Sequence, residues 1–140
     1  MNYTQEFNNI VQETSTLALA TSVDGIPNVR IVNFGYDTSK PGVIYFSSTR
    51  TSPKLSEFAQ NSRVAFTTVP AESHTHVRSN NSLVQKSALY IDEIKDLFLA
   101  QIPGFDVTLS VLGSQMDIYE IHIKEATVIL GPGKIGTVSF

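Results

Sequence analysis

Between Tyr45 and Lys54 the chain reads YFSSTRTSPK: an aromatic, strand-forming run gives way to five hydroxyl side chains with an Arg among them, ending in Ser52-Pro53-Lys54. Hydroxyls and cations gathered where a strand ends and a helix begins suit an anion. Pro53 fits the first position of a helix and Ser52 its N-cap, so Lys54 falls in the first turn. There, unpaired backbone N–H groups and the helix dipole both favour negative charge, and a phosphate is the ligand that such a corner suits best. Ser47, Ser48 and Thr49 add short donors along the approach. Arg30 lies on a strand that the hairpin order sets beside residues 43–48, and its guanidinium fork offers two parallel donors to phosphate oxygens. The same residues also make an ordinary helix cap on a solvated turn, with Lys54 pointing at water. Residue types and spacing leave the two readings level.

The elements that must position these residues follow from periodicity. Tyr3, Phe7, Ile10 and Val11 recur at helical spacing and predict a short amphipathic helix at the start of the chain. Residues 16–22 (TLALATS) read as a strand, VDGIPN as an Asp-Gly turn, and residues 29–36 as the returning partner. DTSKPG is a second turn before strand 43–48, and KLSEFAQN turns Leu55 and Phe58 inward as a helix. Residues 63–70 (RVAFTTVP) form a nearly continuous apolar strand, hence a central one. The signal weakens from 71 to 81, and SLVQKSA is a short strand or turn. Ile91, Ile94, Leu97, Phe98 and Gln101 mark a helix that stops at Pro103-Gly104; residues 105–114 read neither way. MDIYEIHI alternates, with Tyr119, Ile121 and Ile123 on one face and Glu120 and His122 on the other, and ATVIL is the last strand. The Gly-rich tail 131–140 reads as partly loose or docked on a neighbour. Short strands joined by turns rather than helices predict a mainly β fold: one domain over 1–140, an antiparallel barrel, closed or half-closed, with two or three helices.

Composition narrows the partners. The formal net charge is −3 with no dense Lys/Arg cluster, which disfavours nucleic acid or an anionic membrane as partner. No cysteine is present, excluding disulfides, thiolate metal sites and thiol catalysis. MNYTQEFNNIVQET is too polar for a signal peptide, and no apolar run is long enough to span a bilayer, so the expectation is a cytoplasmic protein.

Taken in order, Arg30-Ile31-Val32, Phe46-Ser47, Ser52-Pro53-Lys54 and Asn61-Ser62-Arg63-Val64-Ala65 resemble the FMN-binding split-barrel family that includes pyridoxamine 5′-phosphate oxidase. The likeness covers roughly residues 15–69 well, and HVRSNNSLVQKS and YEIHIKEATVIL are similar to later strands of that family. The resemblance implies that Arg30, Ser52 and Lys54 hold the phosphate of FMN. It implies that Ile31, Val32 and Asn33 lie along the isoalloxazine, and that Phe46, Ser47, Ser48 and Pro53 complete the surroundings. It further implies a homodimer with each flavin at the interface, acting as an oxidoreductase on a small molecule, with reduced nicotinamide as a candidate electron donor. The chain departs from the pyridoxamine phosphate oxidases in having no Trp and no Arg-x-His pair near its end, and Asn80-Asn81 stand where a Gly is usual. The flavin site is therefore the expectation, and oxidation of pyridoxamine 5′-phosphate is not. A non-enzymatic flavin or haem carrier on the same barrel, or a deazaflavin in place of FMN, stays open.

Other signals carry less. Gly131, Gly133 and Gly136 satisfy the letters of a dinucleotide fingerprint, but only four residues follow and no helix fits there. His74, His76 and His122 lack the spacing of a metal site. Asp92, Glu93 and Asp96 form an acidic helix face that reads as solvated surface.

Overall fold

A computed structural model describes residues 1–140. Helix α1 (Tyr3–Glu13) starts at Asn2, whose side chain accepts from the Gln5 N–H (3.1 Å), and it buries Phe7, Ile10 and Val11. Strands β1 (Thr16–Val23) and β2 (Ile26–Asn33) form a hairpin across Asp24-Gly25, both at positive φ (52° and 77°), as a primed two-residue turn requires. There follow β3 (Gly35–Tyr36), β4 (Val43–Thr49), α2 (Lys54–Gln60), β5 (Arg63–Thr68), β6 (His76–Lys86), α3 (Ile91–Gln101), α4 (Phe105–Leu112), a 3₁₀ turn at Gly113–Gln115, β7 (Met116–Gly131) and β8 (Lys134–Ser139). No helix is long and apolar enough to cross a membrane.

The strands form one antiparallel sheet in the order β2-β1-β5-β6-β7-β4-β3, with β8 also on β7. β2 and β3 stand at opposite ends of that order yet are consecutive in the chain, so the sheet curls round on itself as a split barrel. Phe34, fully buried, marks the corner, and its N–H donates to the Ser15 carbonyl (3.0 Å). Residues 29–36 are thus two strands with different partners, not one. β2 pairs with β1 while β3 pairs with β4, and β2 meets β4 only across an unpaired seam.

The second half of the chain corrects several expectations. Residues 76–86 are one strand whose buried positions run Val77, Ser79, Ser82, Val84; a bulge around Asn80-Asn81 puts the two halves out of phase and hides the alternation. Likewise MDIYEIHI and ATVIL belong to the single strand β7, whose buried phase shifts between Ile123 and Ala126. The tail is not loose: Gly133 (φ 72°) turns the chain back and β8 zips onto β7. β4 and β8 occupy the same edge of β7, one after the other. They meet at Gly42 (φ 83°), where an added Cβ would lie 2.9 Å from the Phe140 side chain, so only glycine suits this joint. The unassigned stretch 105–114 is mostly α4, making four α-helices rather than two or three.

The barrel interior is filled from β1, β4, β5 and β7 and closed by α1, with Leu17, Leu19, Phe46, Phe66 and Ile121 at its centre. A second apolar cluster lies on the other face of β4 and β7, where Tyr45, Met116 and Ile118 meet Ile94, Phe98 and Ile102 of the α3 region and Phe105 of α4. Burial on both faces explains why the first half of β7 carries apolar residues on each side, Met116 and Ile118 on one and Ile121 and Ile123 on the other. Gln101, on the apolar face of α3, links the layers. Its amide donates to the Val11 and Thr14 carbonyls (2.6 and 2.8 Å) and accepts from the Tyr36 N–H (2.9 Å). Gln101→Leu keeps the volume but strands those backbone groups, and should destabilise the fold by about 2–3 kcal/mol. The measurement is a urea midpoint that falls at unchanged slope; an unchanged midpoint would show that the bridge contributes nothing.

Candidate functional site

The unpaired seam between β2 and β4 opens as a cleft of about 240 Å³. One wall is β2, with Ile31, Val32 and Asn33; the other is the end of β4, with Ser47, Ser48 and Thr49. Lys54 reaches in from α2, while Phe105, Thr108 and Leu112 of α4 and Met116 of β7 form the floor. Six of the residues expected at a cofactor site are therefore brought together: Ile31, Val32, Asn33, Ser47, Ser48 and Lys54.

The remaining four, Arg30, Phe46, Ser52 and Pro53, do not line the cleft. Phe46 is fully buried in the barrel, stacked on Tyr119 (centroids 5.7 Å apart) and edge-on to Phe58 (6.0 Å). Pro53 is exposed and precedes the first helical residue, Lys54. Ser52 makes no cap bond to the helix backbone; its hydroxyl instead accepts from the Lys54 ammonium (2.9 Å). With α2 only seven residues long, what this corner offers an anion is its side chains rather than a helix end.

Arg30 points away from β4, into the angle between β1 and α2. Its Nη1 donates to the Leu19 carbonyl (3.2 Å) and the Thr21 hydroxyl (3.0 Å), and its Nη2 to Glu57 Oε1 (2.5 Å). Glu57 also accepts from the Thr21 hydroxyl (2.5 Å) and from Asn28 Nδ2 (3.3 and 3.4 Å). These bonds, that of the Thr21 hydroxyl first and then those of Arg30 and Asn28, hold the Glu57 carboxyl below the usual glutamate range against the opposing effect of desolvation.

Lys54 presents the opposite case. Burial, with the charge of Arg30 second, pushes its ammonium below the ordinary lysine value. The chain's ion pairs are Arg30–Glu57, Arg50–Asp117, Lys86–Asp117, Lys95–Asp92 and His122–Glu120, and Lys54 is in none of them. A half-buried cation beside a second cation, with one hydroxyl for a partner, is a site that an anion would complete.

The part played by α4 was missed from sequence. Phe105, Thr108 and Leu112 lie at i, i+3 and i+7, one stripe of a helix, and Asp106 sits in its first turn just after Pro103-Gly104. That signal was present but short.

On the outer face of the sheet, small residues make a second concavity of about 660 Å³. The ladder register sets Ile31, Ala18, Thr67, Arg78 and Thr127 in one row across β2, β1, β5, β6 and β7. Val29, Ala20 and Ala65 form the row beside it, and His76 completes the lining with Arg78. Val29 and Ile31 are 63% and 62% exposed, an unusual degree for adjacent apolar positions on one strand face.

A curled antiparallel sheet that closes through chain continuity and leaves an unpaired seam defines a split-barrel domain. The chain belongs to the pyridoxamine 5′-phosphate oxidase-like family, whose model matches residues 10–135. Among solved structures it is similar to a heme binding protein from Mycobacterium smegmatis (TM-score 0.76, 14% identity, 99% of this chain and 58% of that one). It is also similar to a NimC/NimA family protein from Clostridium acetobutylicum (0.71, 19%, 100% and 95%). A third is a FAD-binding protein from Mesorhizobium loti (0.62, 16%, 87% and 90%). The chain thus spans less than two thirds of the mycobacterial protein's length. Identities this low carry the fold alone. No curated protein matches the sequence.

Because the carboxyl of Glu57 is held below its unfolded value, its contribution to stability is present above the unfolded pKa and is lost as pH falls through the folded one. Glu57→Gln should therefore flatten the acid limb of the stability curve while changing the alkaline limb little. Thermal melts from neutral to acid pH read this directly, and parallel acid limbs in the two proteins would contradict it.

Proposed function

We propose that the chain binds FMN as a homodimer and performs flavin-dependent oxidation or reduction of a small molecule. In this reading Lys54 and the hydroxyls of Ser47, Ser48, Thr49 and Ser52 take the phosphate, and Ile31, Val32 and Asn33 flank the ring. The observation that carries it is Lys54: desolvated, next to Arg30, and without a counter-ion. β2 is an edge strand at the seam, so alternate backbone N–H groups face away from β1 and are available to a polar ring edge. Bound FMN supplies the redox chemistry, while the chain contributes binding, orientation and the electrostatics around the ring.

Size supports the dimer. The cleft is smaller than the roughly 300–1,000 Å³ usual for a small-ligand site. Ile31 borders both the cleft and the apolar outer face, so a second copy laid on that face would deepen the cleft and cover Val29 and Ile31 together. Sedimentation at micromolar concentration is expected to give a dimer; a flavin-loaded monomer would overturn this part of the reading.

Titration with FMN and with riboflavin tests the phosphate site. FMN should bind much more tightly, and Lys54→Ala should weaken FMN about 10- to 150-fold, the loss expected for one charge-assisted contact, while sparing riboflavin. Equal affinities for the two flavins in the unmutated protein would reduce the Ser52-Pro53-Lys54 corner to a turn.

A second reading has one observation in its favour. The larger concavity sets His76 and Arg78 side by side, an imidazole and a guanidinium suited to haem iron and a propionate, and the fold is similar to that of a heme binding protein. The absorption spectrum of the loaded protein separates the two, a flavin doublet in the near-ultraviolet and blue against a single intense Soret band.

A further inference from the structure

Lys54 lines the cleft where α2 begins, Arg30 and Glu57 lie outside its lining, and the pairing of the three is unequal. Arg30, Thr21 and Glu57 form a closed ring: Arg30 donates to both partners, and the Thr21 hydroxyl in turn donates to Glu57. Asn28 holds Glu57 from the far side. The guanidinium is thus neutralised within the chain, and Lys54 alone keeps an unmatched charge.

Resting on the reading of the cleft as a phosphate site, we infer that Glu57 is a specificity-determining residue, an internal carboxylate that competes with the ligand phosphate for Arg30 and so lowers the site's preference for a doubly charged anion. Arg30, Lys54 and Glu57 together carry one net positive charge. A phosphomonoester brings about −1.5 to −2 at neutral pH, which that sum leaves under-compensated, whereas a singly charged group such as a phosphodiester or carboxylate matches it. The carboxyl stays ionised at neutral pH because its hydrogen bonds hold it below the usual range.

Glu57→Gln is the direct test, because the amide oxygen can still accept from Thr21 and Arg30 while the charge is gone. Removing the negative charge that pairs with Arg30, and so freeing that cation beside Lys54, should tighten FMN about tenfold or more. Riboflavin affinity should stay within about twofold, since it carries no charge for Glu57 to oppose. Calorimetric titration reads both, with circular dichroism confirming the fold. If the unmutated protein prefers FMN over riboflavin but Glu57→Gln leaves FMN binding unchanged or weaker, Glu57 merely anchors α2 and the inference is overturned. If neither protein distinguishes FMN from riboflavin, the phosphate reading itself fails and this inference falls with it. Should Glu57→Gln not fold, the double variant Arg30→Met with Glu57→Met replaces the pair by apolar groups. FMN affinity within about threefold of the unmutated protein would then show that Arg30 was already neutralised, and a much larger loss would show that it binds the ligand despite Glu57.

Discussion

At Phe34 the chain abandons one hydrogen-bonding partner for another, and the rest of the architecture depends on that corner. Up to Asn33 the backbone is committed to β1; from Gly35 it is committed to β4. A single strand cannot serve both ends of a curled sheet without a bend, and the fully buried Phe34 ring anchors it. The result is a barrel closed by chain continuity rather than by a ladder. The seam it leaves between β2 and β4 is where polar backbone and side-chain groups can face a ligand instead of each other. Elsewhere the sheet satisfies itself, and no buried side-chain polar atom is left without a partner.

The chemistry of the seam comes from what flanks it. Hydroxyl side chains at the end of β4 supply donors without adding charge, and α4 supplies an apolar floor. The two cations are treated differently by the fold. Arg30 is drawn inward by a carbonyl, a hydroxyl and a carboxylate, whereas Lys54 is desolvated with little to offset it. A desolvated charge with a single hydroxyl partner makes Lys54 the candidate position of the two.

Much of this was legible in the residues, for reasons that can be stated. The Asp-Gly turn, the alternation of β1 and the helical spacing of α1 and α3 are local patterns with one physical solution each. On the β4 side of the seam, Ser47, Ser48 and Lys54 stood out as hydroxyls and a lysine around a proline at a strand end, while Ile31, Val32 and Asn33 were expected only from the family resemblance. The direction of Arg30 was not. It depends on Glu57, 27 positions away, and on Thr21 across the hairpin, partners that only the folded chain brings together. The strands β6 and β7 were hidden by bulges, which shift the two-residue period in mid-strand. The tail misled through composition: its glycines mark a turn and a crowded approach to Tyr3 rather than looseness. Helix α4 was short and followed Pro103-Gly104, so its stripe was easily read as loop.

The sixteen-residue strand β7 has a consequence for how the protein comes into being. It is the shared neighbour of β4, β6 and β8, yet it lies in the last quarter of the chain. While a ribosome is still adding residues before Met116, β4 and β6 have been made but lack their common partner, and each carries an open edge. Such edges invite pairing with other chains. Only when β7 emerges can both edges close together, so completion of the sheet waits for β7 and rests on contacts distant in sequence, the kind that form slowly. The nascent chain therefore depends for its solubility on how briefly that interval lasts.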